Sequence, residues 1–262
     1  AISLNYSRIP TDVGRPSAKV LAYRMERDRL LRYERSLPHK FDIISFVSKV
    51  DVDFLYPSRP SNVIVATNGV DCDQFKFVGP GRDRRVVFIG NITSEQNFDA
   101  CEFFARHVRP RLGDLRFQVI GRVPADKARV LSRFPGVDVV GEVPAVEKHA
   151  AGAFAAVCPV RMGAGIQNKV LEYLALGIPT VATSVGMEGL GVEHERHVLR
   201  ADEPSEIASA LQRLWTDREL SNRLAVAGRE YVARHHSWEE ALSPLIASIM
   251  DLLDTRRSAY AL

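Results

Sequence analysis

Lys169 and Glu172 stand three residues apart, directly behind Gly163 and Gly165, in a stretch that reads VRMGAGIQNKVLEYLALGIPTVATSVGMEGL from Val160 to Leu190. At about 100° per residue, a helix over 166–176 puts Ile166, Val170, Leu171 and Leu174 on one side, facing a sheet. Asn168, Lys169 and Glu172 fall on the outer, polar side. Gly177 supplies a left-handed cap and Pro179 prevents continuation. Glycines before such a helix let backbone N–H groups approach a phosphate, and the helix end adds roughly half a positive charge. Lys169 in the first turn points a cation at the same place, with Arg161 behind it. Glu172, one turn on, offers a carboxylate that accepts two hydroxyl hydrogen bonds, as a ribose diol requires. The set suits a nucleoside diphosphate. The competing reading is an i, i+3 surface ion pair worth ~0.3 kcal/mol.

Two familiar phosphate motifs do not fit. A Walker loop needs Gly before its Lys and Ser or Thr after it, where this chain has Asn168 and Val170. The dinucleotide fingerprint needs a third small residue after the first strand, and GAGIQN lacks it and follows a late strand. His235 and His236 are adjacent, about 100° apart on a helix, so they chelate poorly and suit a helix end. Cys72, Cys101 and Cys158 have neither pairing nor metal spacing and read as reduced, buried thiols of a cytoplasmic protein. Trp238 reads as core or domain packing. Glu188 reads either as a loop cap or as a residue reaching a ligand.

The elements that must position these residues follow from composition and periodicity. A net charge of +3 over 262 residues is too small for a nucleic-acid surface but enough for a few phosphate contacts. No apolar run reaches the ~20 residues of a membrane span. The opening 1–16 is neither a tail nor a clear element, and the chain reads as starting inside a longer protein. An amphipathic helix follows to about Pro38, with Val20, Leu21, Met25, Leu30 and Leu31 on its apolar face and a solvated charged face. FDIISFVS and NVIVAT are buried strands, and 67–84 breaks all periodicity as a linker. From Arg85, strands at 85–90, 115–121, 137–143, 154–160, 178–184 and 197–201 alternate with helices at 97–112, 124–134, 146–151 and 166–176. Helices at 204–215, 218–234 and from Ser237 close the chain, the last with Ser237 and Glu240 as a capping box. Apolar, non-alternating strands separated by helices mean an α/β fold with a doubly wound parallel sheet. Its ligand belongs outside the carboxyl ends of the strands.

The segment GAGIQNKVLEYLALGIPTVATSVGMEGL resembles the donor site of GT-B glycosyltransferases of family 4, and most of all bacterial exopolysaccharide-associated sugar transferases. VIVATNGVDCDQF, VVFIGNITSEQNFDACEFF, GLGVEHERHVLRADEPSEIASAL and RHHSWEEAL extend the resemblance over 41–248. It implies two Rossmann-like domains: 1–66 as the truncated remnant of an acceptor-side domain, 67–84 as the linker, and 85–236 as the nucleotide-sugar domain. The final helix, 237–262, would pack back on the first domain. It implies hexosyl transfer from a UDP- or GDP-sugar to a glycan or lipid-linked acceptor, with no metal and no cofactor besides the donor. Location would be cytoplasmic, at the inner face of the cell membrane, with peripheral association through the missing domain. A fragment lacking that domain would bind donor and transfer sugar poorly.

By motif match, Lys169 and Arg161 would neutralise the diphosphate, and Glu172, the second glutamate of the family's pair, would bind the ribose. Gly163, Ala164, Gly165 and Ile166 would line the β-phosphate and donor sugar. Gly141, Glu142 and Val143 would contact the base, and Gly90 and Asn91 would border the phosphates. The first glutamate of the pair falls at Ala164, and Asn91 and Gln96 stand where the family has Arg and Lys. The Asp-x-Asp triplets at 51–53 and 71–73 look like the metal motif of a different glycosyltransferase fold, which this fold does not use. The rivals are a nucleotide-sugar epimerase of the same fold and a non-catalytic nucleotide-binding subunit.

Overall fold

The computed structural model describes residues 1–8 and 18–260. The chain divides into two compact units. The first comprises Ala1–Gly69, Met162–Ile166 and Trp238–Leu262; the second comprises Val70–Arg161 and Gln167–Ser237.

In the first unit, the opening residues form a helix, α1 (Ile2–Ser7), which the sequence did not announce. The buried Glu34 explains it: its carboxylate accepts from Ile2 N at 2.7 Å and Ser3 N at 3.2 Å, an anion at a helix N-terminus. Glu34 belongs to α2 (Ala18–Ser36), the expected amphipathic helix. Residues 9–17 and the side chains of Val20 and Leu21 lie outside the described residues. Strands β1 (Ile44–Phe46) and β2 (Val63–Val65) pair in parallel, Ile44 opposite Val63. Between them lies an unforeseen helix, α3 (Lys49–Leu55), capped by Ser48 Oγ accepting from Val50 N. Its Val52 and Leu55 meet Tyr56, Phe46, Val63 and Val65 in the unit's core. The long α11 (Trp238–Tyr260) also belongs to this unit, with Arg256 bonded to Asp42 at 2.8 Å. Trp238 is half exposed rather than core.

The second unit holds six parallel strands: β3 (Asp83–Ile89), β4 (Arg116–Ile120), β5 (Val137–Gly141), β6 (Ala153–Cys158), β7 (Thr180–Ala182) and β8 (Leu199–Arg200). Their order is β5-β4-β3-β6-β7-β8. The chain winds outward from β3 to β5, then returns to lay β6 on the other side of β3. That reversal is the doubly wound switch point, where the strand ends open a crevice. Helices α4 (Glu95–Phe103), α5 (Ala125–Leu131), α6 (Val146–Ala150), α7 (Asn168–Leu176), α8 (Ser184–Met187), α9 (Pro204–Thr216) and α10 (Arg218–His235) accompany the sheet. Every residue of β6 is buried, as a strand covered on both faces requires.

Two expectations need correction here. The helix expected over 97–112 is regular only to Phe103; it widens over Phe104–Val108 and tightens at Arg109–Arg111. Pro110, which has no N–H to donate, stands at this tightened end. The expected linker at 67–84 is not a free tether beyond Gly69. Residues 70–82 lie on the second unit: Val78 N and Gly79 N bond Leu176 O at 2.8 and 3.2 Å. Arg229 binds Phe75 O at 2.7 Å and Cys72 O at 3.0 Å. An irregular segment thereby satisfies its carbonyls with an arginine from α10. Among the described residues, no helix is long and apolar enough to cross a membrane.

Candidate functional site

The ends of β3, β4 and β5 carry Gly90, Gly121 and Gly141. Gly121 N donates to Gly141 O at 2.8 Å, and Gly90 N donates to Ile120 O at 2.9 Å. Gly121 has φ +126 and sits so close to Gly90 O that a Cβ would collide with it. A Cβ on Gly90 would lie 3.4 Å from Lys169 Cε and 3.2 Å from Asn97 Nδ2. Bare backbone here lets the lysine stem lie across the end of β3. Asn91 closes the next turn: its Oδ1 accepts from Thr93 N (3.0 Å) and Thr93 Oγ1 (2.8 Å), and Asn97 Nδ2 bonds its carbonyl.

Helix α7 ends as expected, with Gly177 left-handed at φ 70. Its apolar positions Val170, Leu171 and Leu174 are buried, and Tyr173 Oη accepts from Ile89 N at 2.7 Å, tying α7 to β3. The polar side departs from expectation. Lys169 is only 9% exposed. Its Nζ donates to the buried Gln167 Oε1 at 2.8 Å and lies 5.3 Å from the centre of the Phe88 ring. Among the described residues, no carboxylate bonds it, so the solvated surface pair with Glu172 does not form. The ammonium instead acts on buried neighbours, drawing down the Cys101 and Cys158 thiols that burial pushes up. Glu172 is half-buried. Burial pushes its carboxyl up to about 7, against the pull of Lys169.

Arg161 is not brought to Lys169 by any shared contact. Asp99 on α4 takes its guanidinium in a fork, at 2.6 and 3.1 Å, and it lies 4.4 Å from the centre of the Phe103 ring. Glu142 is exposed, and Val143 packs on the core cluster that includes Ile120 and Tyr173. The glycine-rich loop, Met162–Ile166 with Gly163, Ala164, Gly165 and Ile166, groups with the first unit. There Gly163 (φ 139) accepts from Arg8 Nη1 at 2.7 Å, and Gly165 (φ 77) faces Val47.

Other flagged residues have structural partners. Asp53 bonds Lys49 and Arg59, and Asp71 Oδ1 accepts from Asp73 N and Gln74 N. His236 ends α10, its Nε2 3.1 Å from Leu190 O. Cys72 is only partly buried. Sequence reasoning missed Gln167, Phe88 and Asp99, whose roles depend on where other elements bring them. Gln167 gave one local signal, an amide immediately before the helix.

This edge of the second unit therefore offers, among the described residues, one buried ammonium with a single hydrogen-bond acceptor, a carboxyl whose titration burial moves up to about 7, and glycine backbone that a flat or anionic ligand can approach.

The model for glycosyl transferases group 1 matches residues 83–217, just over half the chain. A curated relative, glycosyltransferase 1 domain-containing protein 1 from Xenopus tropicalis, is 29% identical over 111 residues, covering 42% of this chain and 32% of that protein. The chain thus spans about a third of the length of that relative. Among solved structures, a glycosyltransferase from Rickettsia africae superposes with a TM-score of 0.71 at 12% identity, covering 86% of this chain and 67% of that one. HepE of Anabaena, solved in complex with UDP-glucose, gives 0.69 at 14% identity over 84% and 67%. These structural likenesses identify an α/β fold of the GT-B kind. With the family model spanning strands β3 to β8 and helix α9, the chain belongs to the group 1 glycosyl transferases.

Proposed function

We propose that the second unit binds the nucleoside diphosphate of a UDP- or GDP-sugar, and that the activity is hexosyl transfer to a glycan or lipid-linked acceptor in exopolysaccharide or other cell-surface glycan synthesis. The finer likeness to family 4 supports the sugar-transfer assignment, and the acceptor would be met at the cytoplasmic face of the membrane. The observation that carries the reading is the buried Lys169 ammonium, with Gln167 Oε1 as its acceptor, lying across Gly90 at the end of β3. A cation sequestered in this way is costly without an anion to meet it. A β-phosphate supplies that anion, and its charge grows as the sugar departs with oxocarbenium character, so a preorganised ammonium favours the transition state over the ground state. Glu172, one turn along α7, would take the ribose hydroxyls, and the strand-end backbone at Gly141–Val143 would take the base.

Calorimetric titration of the chain with UDP, GDP and ADP, with Lys169→Ala and Glu172→Ala alongside, tests this. One nucleotide should bind, and both substitutions should weaken it. Binding that neither substitution changes would sink the site.

A further inference from the structure

We infer that Arg122 supplies the second cation of the nucleotide site. This rests on the reading that Lys169 faces a nucleoside diphosphate, whose negative charge exceeds what one ammonium neutralises. Two other cations near these strand ends are engaged. Arg161 is forked by Asp99. Lys127 is held by Glu95 at 2.7 Å and Thr93 O at 3.2 Å. Asn91 and Gln96, after β3, are neutral.

Arg122 differs from both. It directly follows Gly121 at the carboxyl end of β4, its side chain is exposed, and it has no hydrogen bond, ion pair or ring contact among the described residues. Its backbone is nevertheless fixed. Arg122 O accepts from Ile92 N at 2.8 Å, and the preceding Gly121 is pressed against Gly90 O while donating to Gly141 O. Gly90 is the residue over which the Lys169 stem lies. Arg122 is therefore anchored one residue from the contact that carries Lys169, on the β4 side. A guanidinium there forks onto phosphate oxygens more readily than an ammonium does. Leaving such a group unpaired in the free protein costs little because it is solvated, so it is available to the ligand.

The test is calorimetric binding of UDP, GDP and the parent nucleosides to the full chain, comparing the unmodified protein with Arg122→Ala, Arg122→Gln and Arg122→Lys. Arg122→Ala and Arg122→Gln should weaken the diphosphate by about tenfold or more. The loss should shrink as salt is raised, Arg122→Lys should recover part of it, and nucleoside binding and Tm should stay unchanged. An equal loss for nucleoside and nucleotide would move the guanidinium to the base and overturn the proposal. So would undiminished diphosphate binding by Arg122→Ala while the unmodified protein binds well. If the unmodified protein binds neither nucleotide, the nucleotide-site reading itself falls, and this assignment falls with it.

Discussion

The six-stranded sheet treats its two ends in opposite ways. At the amino ends of the strands, Arg84, Arg85 and Arg116 are engaged. Arg85 reaches Asp83, Gln118 Oε1 at 2.8 Å, His149 O at 2.6 Å and Ala151 O. Arg84 pairs with Asp114 at 2.7 Å, and Arg116 forks onto Asp138. At the carboxyl ends stand glycines, a buried ammonium with one acceptor, a carboxyl without a hydrogen-bond partner among the described residues, and the unpartnered Arg122. The first arrangement satisfies polar groups within the chain and contributes to stability. The second leaves the Arg122 guanidinium to solvent and houses the Lys169 ammonium with Gln167 as its acceptor, the arrangement on which the proposed donor site rests. The same β/α repeat thus builds a closed end and an open one.

The comparison breaks most severely at Gly121. Gly121→Ala combines a left-handed φ with a Cβ driven into Gly90 O, so stability should fall by about 3 kcal/mol or folding should fail. Urea denaturation measures it, and a near-neutral result would show that the strand ends are not tightly apposed. Lys169 comes next. Lys169→Ala should weaken diphosphate binding about 100-fold, whereas Lys169→Met should leave Tm nearly unchanged, because removing the buried charge offsets the loss of the Gln167 hydrogen bond. A lower Tm for Lys169→Met would mean the ammonium is structural, as the arginines at the other end are.

Glu172 sharpens the contrast through pH. Its folded pKa of about 7 lies above the ordinary glutamate value of 4.5, so between those values the folded chain holds a proton that the unfolded chain has released. Its contribution is fully present below about pH 4.5 and is lost as pH rises through 7, a fall of about 3 kcal/mol. Glu172→Gln should flatten that part of the stability–pH profile; an unchanged profile would place the carboxyl in water. The smallest effect belongs to the closed end. Arg85→Ala should cost about 1–2 kcal/mol of stability through its lost hydrogen bonds and leave nucleotide affinity untouched. A change in affinity would erase the division of labour between the two ends.

Much of this was written locally in the chain. The alternation from Arg85 onward placed each strand and helix within a few residues, because apolar runs bounded by Gly, Pro and Asn act over short range. Gly177 and the apolar positions of α7 fixed that helix and which of its sides met the sheet. The same reading brought Lys169 and Glu172 to the carboxyl end of a strand. Tertiary structure alone decided how those side chains are housed. Lys169 looked solvated on a helical wheel, yet Phe88 from β3 and Gln167 enclose it. Arg161 looked available, yet Asp99, 62 residues earlier, holds it. The turn-rich stretch 70–82 looked like a tether, yet Arg229 fastens it to the second unit. Periodicity reports which side of an element is apolar, whereas burial and charge pairing are set by residues distant in sequence that only folding brings near.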